Sequence, residues 1–385
     1  LCHDIDMSGY TGYLPVGTND QPFNASFDGA GYTIKNLSYE NDSRYAGVFG
    51  NVGSKGLIYD LNIDNCIFSD NVDRKLHREA YAGAIAGLSA GTIRNCFVTN
   101  TDVKAFGYLY DDFKFCYAYA GGVVGKNTGT ISMCSYSKGN VYSNSWIHYY
   151  EKGHDKDKDS DNKNYSMCGG IAGYSSGIIE DCYSGASTQL KSFAYSACSE
   201  HNKTRSRYIY VGAGGIVGYA DGGEIRNVFS LASISSASYD RENTAKTGGS
   251  DTNNCCALTG SIIGYRDNEG SWNSLLLMMG KGKIIWEYVQ CDNAFVLAGT
   301  YGEDYVVMFP EQFRDQIVNN AENKIDYIIV DSFKDESMVK ALTAPRQYVD
   351  EAGKTQSMVC WYLDDDGELA LVTRYESTFV STGHG

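Results

Sequence analysis

The feature that most constrains the fold of this chain is a short glycine-rich pattern that occurs six times. Each copy reads Gly-(Gly/Ala)-h-h-Gly, where h is small or apolar, with small departures in the first and last copies. The spacing between last glycines ranges from 37 residues (50 to 87) to 48 residues (125 to 173). A repeat of this size is typical of a solenoid, a propeller or a similar array. The last glycines of the copies are Gly50, Gly87, Gly125, Gly173, Gly218 and Gly264.

Within each repeat, two short strand-like segments flank a polar turn. In residues 169–186, one strand begins near Ile171, the turn covers 174–177, and a second strand contains Ile179 and Cys182. Such short strands are not stable alone and need stacked neighbours. A propeller blade of about 45 residues is the alternative, but a solenoid tolerates the variable repeat length better. We therefore predict an all-β parallel β-helix. With two coils per repeat it has about a dozen coils and is roughly 60 Å long, at about 4.8 Å per coil.

The extra residues of the longer repeats always fall after the second strand and before the next glycine pair. These inserts cover about 103–118, 141–166, 188–211 and 236–257, and we expect them to leave one edge of the solenoid as loops. Tyr and Trp side chains provide contact area at low entropic cost. The inserts therefore predict a recognition edge for a glycan or protein, the alternative being loops that pack on their own coils. The residues assigned to this edge are Tyr108, Tyr110, Trp146, Tyr149, Tyr150, Tyr208 and Tyr210.

The twelve cysteines fall into two groups. Cys96, Cys134 and Cys182 each lie nine residues after the last glycine of their repeat, which predicts one inner row of buried thiols. If each repeat makes two coils, these thiols are roughly 9–10 Å apart, beyond the reach of a disulfide. The remaining cysteines are candidates for two or three disulfides, with a pairing that sequence does not give. They are Cys2, Cys66, Cys116, Cys168, Cys198, Cys255, Cys256, Cys291 and Cys360.

Residues 27–37 read Phe-Asp-Gly-Ala-Gly-Tyr-Thr-Ile-Lys-Asn-Leu and precede the glycine repeats. This combination resembles the GLUG-repeat proteins, which are secreted or surface proteins of bacteria and archaea. The same repeat occurs upstream of the catalytic part of bacterial IgA1 proteases. The resemblance covers roughly residues 1–280 and implies a right-handed parallel β-helix with an extracellular, often adhesive or scaffolding, role. It implies no catalytic residues.

After about residue 280 the pattern changes. We predict a β-helix over residues 1–285 and a small α+β capping segment over 286–385. Helical spacing covers 313–321, and a second helix is predicted over 335–342, before Pro345. Residues 358–372 read as two strands around an Asp-Gly turn.

Composition excludes several function classes. The net charge of −15 disfavours binding to nucleic acid and to anionic lipid surfaces. No apolar run is long enough for a transmembrane helix, so we expect no membrane insertion. The chain begins at Leu1 rather than Met, which we interpret as a processed, exported chain. Five Asn-x-Ser/Thr sequons fit export.

No catalytic or metal-ligating pattern is present in the sequence. Residues 155–161 begin like a calcium loop, but Ser160 and Ser166 replace the required Gly and Glu. The six histidines lack metal-ligand spacing. Arg94, Glu180 and Arg226 are spaced by whole repeats and are expected to form a solvated ladder. We therefore predict no metal, no cofactor and no enzymatic activity.

The sequence thus predicts a non-catalytic extracellular structural or adhesive surface protein. Its partner is either a surface glycan or protein, or further copies of itself in a filament, sheath or surface layer cross-linked through cysteines. The alternative is a ligand-binding module, or a lyase-like enzyme, within a larger secreted chain that processes glycans or proteins.

Overall fold

The chain folds as a parallel β-helix in which each repeat forms one coil. The computed structural model describes residues 1–41, 43–71, 79–110, 115–149, 162–185, 187–198, 207–241, 253–260, 262–266, 290–297, 328–330, 336–349, 355–367 and 369–372. Four stacked parallel sheets, called sheets 1 to 4, contain nearly all of the strands.

The strands are numbered in chain order and are grouped here by sheet. Sheet 1 contains β1 (Ile5–Asp6), β2 (Ser26–Asp28), β3 (Thr33–Lys35), β7 (Leu57–Tyr59), β8 (Asn62–Asp64), β12 (Thr92–Arg94), β13 (Phe97–Thr99), β17 (Thr130–Ser132), β18 (Ser135–Ser137), β22 (Ile178–Ser184), β26 (Glu224–Ser230), β30 (Gln290–Leu297) and β31 (Ile328–Val330). Sheet 2 contains β6 (Phe49–Val52), β11 (Ala86–Ser89), β16 (Val124–Asn127), β21 (Ala172–Ser175), β25 (Val217–Ala220) and β29 (Ile263–Arg266).

The other two sheets contain the strands nearest to and within the inserts. Sheet 3 contains β4 (Ser38–Asn41), β9 (Ile67–Asn71), β14 (Asp102–Tyr110), β19 (Asn140–Tyr149), β23 (Gln189–Cys198) and β27 (Ser233–Arg241). Sheet 4 contains β5 (Tyr45–Ala46), β10 (Glu79–Gly83), β15 (Phe115–Gly121), β20 (Asn162–Gly169), β24 (Arg207–Gly214) and β28 (Asn253–Gly260). Along the chain each coil runs through sheets 2, 1, 3 and 4 in that order.

The prediction of two coils per repeat is wrong. Thr92 of one repeat pairs with Thr130 of the next, and Thr130 pairs with Ile178 of the repeat after that. Equivalent residues are therefore one inter-strand distance apart, about 4.8 Å. The strands on either side of the polar turn, such as β21 and β22, belong to sheets 2 and 1 and are parts of one coil instead of two. The β-helix therefore has fewer than a dozen coils and is shorter than 60 Å.

Left-handed residues bend each coil at two places, between the two strands of sheet 1, as at Asn95, and where sheet 1 passes into sheet 3, as at Asn36 and Asn65. Asn36, Asn65 and Asn95 have φ values of 60°, 52° and 53°, a region that Asn adopts more readily than most residues. Their amides form ladders between coils, as in Asn65 Nδ2 donating to Asn36 Oδ1 at 2.7 Å and Asn95 Nδ2 donating to Asp60 Oδ1 at 2.6 Å. The residue after each bend points inward and is buried, as Cys96 is. The sequence Ile-x-Asn-Cys, which occurs at 63–66 and 93–96, marks both kinds of bend.

The recurring last glycine marks the place where sheet 4 turns into sheet 2. A Cβ atom on Gly125 would lie 2.6 Å from the backbone nitrogen of Ala82 and 2.6 Å from the carbonyl oxygen of Gly87. Both atoms belong to the neighbouring coil, so a side chain here would push the coils apart. Between the glycines, Val123 points into the apolar core and is fully buried.

Part of the C-terminal segment packs against the side of sheet 1. Helix α1 (Glu336–Thr343) agrees with the predicted second helix, and the hairpin of β34 (Trp361–Leu363) and β35 (Leu369–Leu371) agrees with the predicted closing strands. A further hairpin joins β32 (Arg346–Val349) to β33 (Thr355–Met358). The predicted helix over 313–321 lies outside the described residues. Strands β30 and β31 continue sheet 1 beyond the predicted boundary at 285.

Trp361 anchors this segment. Its ring lies 5.5 Å from Phe229 and 5.8 Å from Tyr183 between ring centroids, and its indole N–H donates to Asp181 Oδ1 at 2.9 Å. Met338 of α1 belongs to the same buried cluster. The predicted α+β segment is therefore held laterally on the solenoid by a second, smaller apolar core.

Candidate functional site

The inserts form strands where the sequence predicted loops. In sheet 3, the strands lengthen from four residues in β4 (38–41) to ten in β19 (140–149), and the return strands of sheet 4 lengthen with them. The prediction of loops is wrong for the described parts of the inserts, because residues of β14, β19 and β20 pair with equivalent residues in the next coil. We call the paired strands β14, β15, β19, β20, β23, β24, β27 and β28 the fin.

Small side chains fill the space between the two sheets of the fin. The hydroxyls of Ser143 and Ser192 are 2.8 Å apart, and Ser166 Oγ donates to Ser143 Oγ at 2.8 Å. A Cβ atom on Gly107 would lie 2.9 Å from Cys116 Sγ, which shows how closely the sheets approach. Residues this small allow tight packing of extended strands, so the fin forms a rigid extension of the solenoid.

The outer surface of sheet 3 in the fin carries exposed aromatic rings. Along β14 the buried residues Val103, Ala105 and Gly107 alternate with more exposed ones, as expected of a strand with one solvated face. We call the outward residues Phe106, Tyr108, Tyr142, Trp146 and Phe193 the aromatic face. The exposed fraction of the Trp146 side chain is 40%, which is high for a residue of this size.

Parallel register brings the rings of the aromatic face together. Tyr108 pairs with Trp146 in the next strand, and their ring centroids are 5.5 Å apart. Phe106 and Tyr142 are also 5.5 Å apart. The register continues the row of Tyr108 and Trp146 with two further aromatic positions in β23 and β27, Tyr195 and Tyr239. One row is thus aromatic in four consecutive coils.

The opposite side of the fin carries a second aromatic array, which is buried. Tyrosines of sheets 4 and 2 stack from coil to coil, with Tyr165 4.8 Å from Tyr210 and Tyr81 5.5 Å from Tyr119 between ring centroids. Burial raises the pKa of the Tyr119 phenol well above its usual value. The array also holds the ammonium group of Lys126 5.0 Å from the ring centroid of Tyr174. Because these rings contact one another and not solvent, we interpret this array as structural.

The residues assigned to the recognition edge do not lie on one surface in the structure. Tyr108 and Trp146 lie together on the aromatic face, and Tyr110 follows two residues later in β14. Tyr210 belongs to the buried array and has 2% exposure. Tyr149 ends β19 and Tyr208 lies in β24, but their side chains lie outside the described part, as does all of Tyr150.

The predicted recognition edge does not include three aromatic members and one basic member of this surface. The aromatic members are Phe106, Tyr142 and Phe193. The alternation of small and large residues over 102–108, 140–146 and 189–195 is the sequence signal that identifies them. Lys191 pairs directly with Tyr142 and is exposed.

The described cysteines are free thiols. Cys2 is exposed, whereas Cys66, Cys116, Cys168 and Cys360 are buried, as are Cys96, Cys134 and Cys182. The side chains of Cys198, Cys255, Cys256 and Cys291 lie outside the description. Burial raises the pKa of the Cys116 thiol to about 12 and that of Cys66 to about 11.

The spacing argument against disulfides in the inner row is wrong, because the three thiols are on adjacent coils. A separation of about 4.8 Å between coils falls within the Cα–Cα range of disulfides. The prediction that these thiols share one buried inner row is confirmed: Cys134 N–H donates to Cys182 Sγ at 3.4 Å, and all three are fully buried.

The charged ladder predicted on sheet 1 is present in part. Arg226 Nη2 lies 2.7 Å from Glu180 Oε2, and Arg226 Nη1 lies 2.9 Å from Glu224 Oε2. Within the described residues, no group of three or more His, Cys, Asp or Glu side chains could hold a metal ion. The calcium-like segment 155–161 lies outside the described residues. No helix in the described part is long and apolar enough to cross a membrane.

Comparisons with known proteins give local similarities. No family model matches the chain, so membership of the GLUG-repeat group stays a prediction. A stretch of 100 residues, 26% of the chain, is 33% identical to halomucin of Haloquadratum walsbyi and corresponds to 1% of that protein. A stretch of 104 residues, also 26% of the chain, is 30% identical to a provisionally named Gly-rich membrane protein of Evansella cellulosilytica and corresponds to 12% of it. The chain therefore spans a small part of the length of these relatives.

One solved structure is similar over most of the chain. The crystal structure of a provisionally assigned immunoglobulin A1 protease from Bacteroides ovatus aligns over 92% of this chain and 84% of its own, with a TM-score of 0.49 and 17% sequence identity. A similarity at this level does not extend to activity.

Proposed function

We propose that this chain is a non-catalytic module of a surface-associated protein, with an adhesive or structural role, and that it contacts its ligand through the aromatic face. The observation that carries the proposal is the set of partly exposed rings, with Trp146 the most exposed, held in register on the closely packed fin. A preorganised surface of this kind binds without ordering flexible groups first. Exposed aromatic surface of this extent is also typical of interaction sites.

The surface location is supported by the relatives. One of them is named as a membrane protein, and both are far longer than this chain. A parallel solenoid suits the role of a module in such a protein, because its stability comes from contacts between neighbouring coils along its length.

The non-catalytic role is supported by the state of the reactive groups within the described residues. Glu180 and Glu224 both form ion pairs with Arg226. The buried thiols have raised pKa values, as at Cys116, and a thiol is a poor nucleophile when protonated. A lyase-like site would instead need several acidic or metal-binding groups that converge.

The alternative of a cysteine-linked polymer is disfavoured by the described thiols. Of the eight whose surroundings are known, Cys2 alone is exposed. Cys2 by itself could link two chains but could not build a filament.

The location is tested on intact cells of the organism that makes the protein. A protease that does not enter cells is added, and released peptides are identified by mass spectrometry. We expect peptides from this chain, in proportion to those of known surface proteins. Cleavage only after lysis would contradict the proposal.

A further inference from the structure

We infer that the aromatic face binds a linear polysaccharide that carries carboxylate groups, laid along the solenoid axis. This inference rests on the proposed function and names the ligand class of the same face. Three observations carry it: the row of rings, the polar residues interleaved with them, and the local charge.

The row of rings matches a polymer ligand. Tyr108 and Trp146 are side by side, and register positions Tyr195 and Tyr239 extend the row over four coils. Consecutive coils are about 4.8 Å apart, so the four register positions span about 14 Å along the solenoid. A pyranose ring presents C–H groups on its flat faces, which stack on aromatic rings, and a chain of such rings can occupy successive positions in the row.

The neighbouring rows alternate rings with polar groups. In one row Phe106, Asn144 and Phe193 follow one another in consecutive coils, and in the next row Tyr142 lies between Lys104 and Lys191. A sugar unit has apolar faces and a rim of hydroxyl groups, so it can satisfy this alternation. The apolar centre of a protein–protein interface is instead depleted of charged groups.

The charge around the rings favours a polysaccharide with carboxylate groups over a neutral one. The chain as a whole has a net charge of −15. In contrast, the rows around the rings contain Lys104 and Lys191, and the register adds the position of Arg241. Lys191 is exposed, and Lys104 lies 3.8 Å from Asp102. Basic side chains beside stacking rings suit carboxylates carried on a sugar chain.

The test is native gel electrophoresis of the whole chain through gels that contain a soluble polymer. Alginate is the carboxylated probe, and hydroxyethylcellulose is the neutral one. We expect alginate to retard the protein, and added salt to weaken the retardation because exposed charge pairs are screened. Hydroxyethylcellulose should retard it less.

Variants locate the binding surface. Trp146→Ala and Tyr108→Ala should each weaken alginate retardation roughly tenfold or more, as expected for aromatic residues at the centre of a binding surface. Lys191→Gln should weaken it less and reduce its salt dependence. Tyr10→Ala is the matched control, because Tyr10 is an aromatic residue with 56% exposure in the first coil, away from the fin. It should behave as the parent chain.

Several results would overturn the inference. Absence of retardation by alginate, stronger retardation by hydroxyethylcellulose, or unchanged retardation of both aromatic variants would each do so. These results would not contradict the proposed surface location, because peptide release from intact cells is measured separately. Conversely, a protein that is cleaved only after lysis but retarded by alginate would contradict the proposed function and not the ligand class.

Discussion

Trp361 offers the sharpest test of how the C-terminal segment is attached to the solenoid. Its side chain is fully buried between Phe229 and Tyr183, and its N–H donates to the buried carboxylate of Asp181. Trp361→Phe keeps much of the packing but removes this hydrogen bond to a charged group, which costs about 1.5–3 kcal/mol. Trp361→Ala removes the ring as well and costs about 3–5 kcal/mol.

The assay is native-state hydrogen exchange of helix α1, residues 336–343. The substitution should reduce the free energy of docking of the C-terminal segment and leave the stability of the stacked coils nearly unchanged, because solenoid stability is largely local. Since 1.4 kcal/mol corresponds to a factor of ten, Trp361→Phe should speed exchange in α1 by roughly 10- to 150-fold. Strand β22 should be nearly unaffected.

Leu363→Ala is the matched control in the same strand. Leu363 is 46% exposed, so its truncation should change the free energy of opening by less than about 0.5 kcal/mol. Unchanged exchange in α1 of Trp361→Phe would refute the reasoning. Equal acceleration in α1 and β22 would also refute it, because the segment would then not open independently of the coils.

Three further predictions concern the coils. Gly125→Ala should lower the thermal stability more than Gly9→Ala, because its Cβ meets neighbouring backbone at 2.6 Å, whereas that of Gly9 meets nothing within 4 Å and costs only the strain of a positive φ of 75°, about 1–2 kcal/mol; equal melting temperatures would contradict the account of the motif. In native protein at pH 8, iodoacetamide should modify the exposed Cys2 and leave Cys116 unmodified until denaturant is added, as peptide mass spectrometry can show; rapid labelling of Cys116 would count against its burial. The hydrogen bond from Asn36, with a smaller contribution from Ser8, lowers the pKa of Asp6 to about 2 from 3.8. Its stabilising contribution is therefore present above about pH 4 and is lost as the pH falls through about 2. Asn36→Ala should raise the pKa of Asp6 towards 3.8 in an NMR titration, and an unchanged pKa would exclude this hydrogen bond as the cause.

The stacked parallel fold could be predicted from the sequence because its two corner signals are local. The last glycine of each repeat is required by close backbone contact, as at Gly125, and Asn95 reports a left-handed bend. Neither signal shows whether a repeat forms one coil or two. The segments on both sides of the polar turn look like equal halves of a repeat, and only the pairing of Thr92 with Thr130 shows that they belong to one coil.

The candidate site was predicted only in part. Length variation at one point of the repeat placed Tyr108 and Trp146 on a common edge, where the structure also has them. Long inserts usually read as loops, however, and the extension of sheets 3 and 4 depends on pairing between inserts distant in sequence. Tyr210 is buried because it stacks on Tyr165 in the preceding coil. This contact joins two repeats, so the sequence of one repeat does not reveal it.

The register of the coils is the central claim, because it alone places the rings of the aromatic face side by side. Glu40 and Lys191 are both exposed and lie in one register row, through Ser69, Lys104 and Tyr142. We would replace both with cysteine, in a chain that lacks Cys2, attach nitroxide labels and measure their separation by pulsed electron paramagnetic resonance. With one coil per repeat, the two labelled positions are four inter-strand spacings apart, or about 19 Å. With two coils per repeat, they would be about 38 Å apart. A distribution centred near the longer distance would contradict the account.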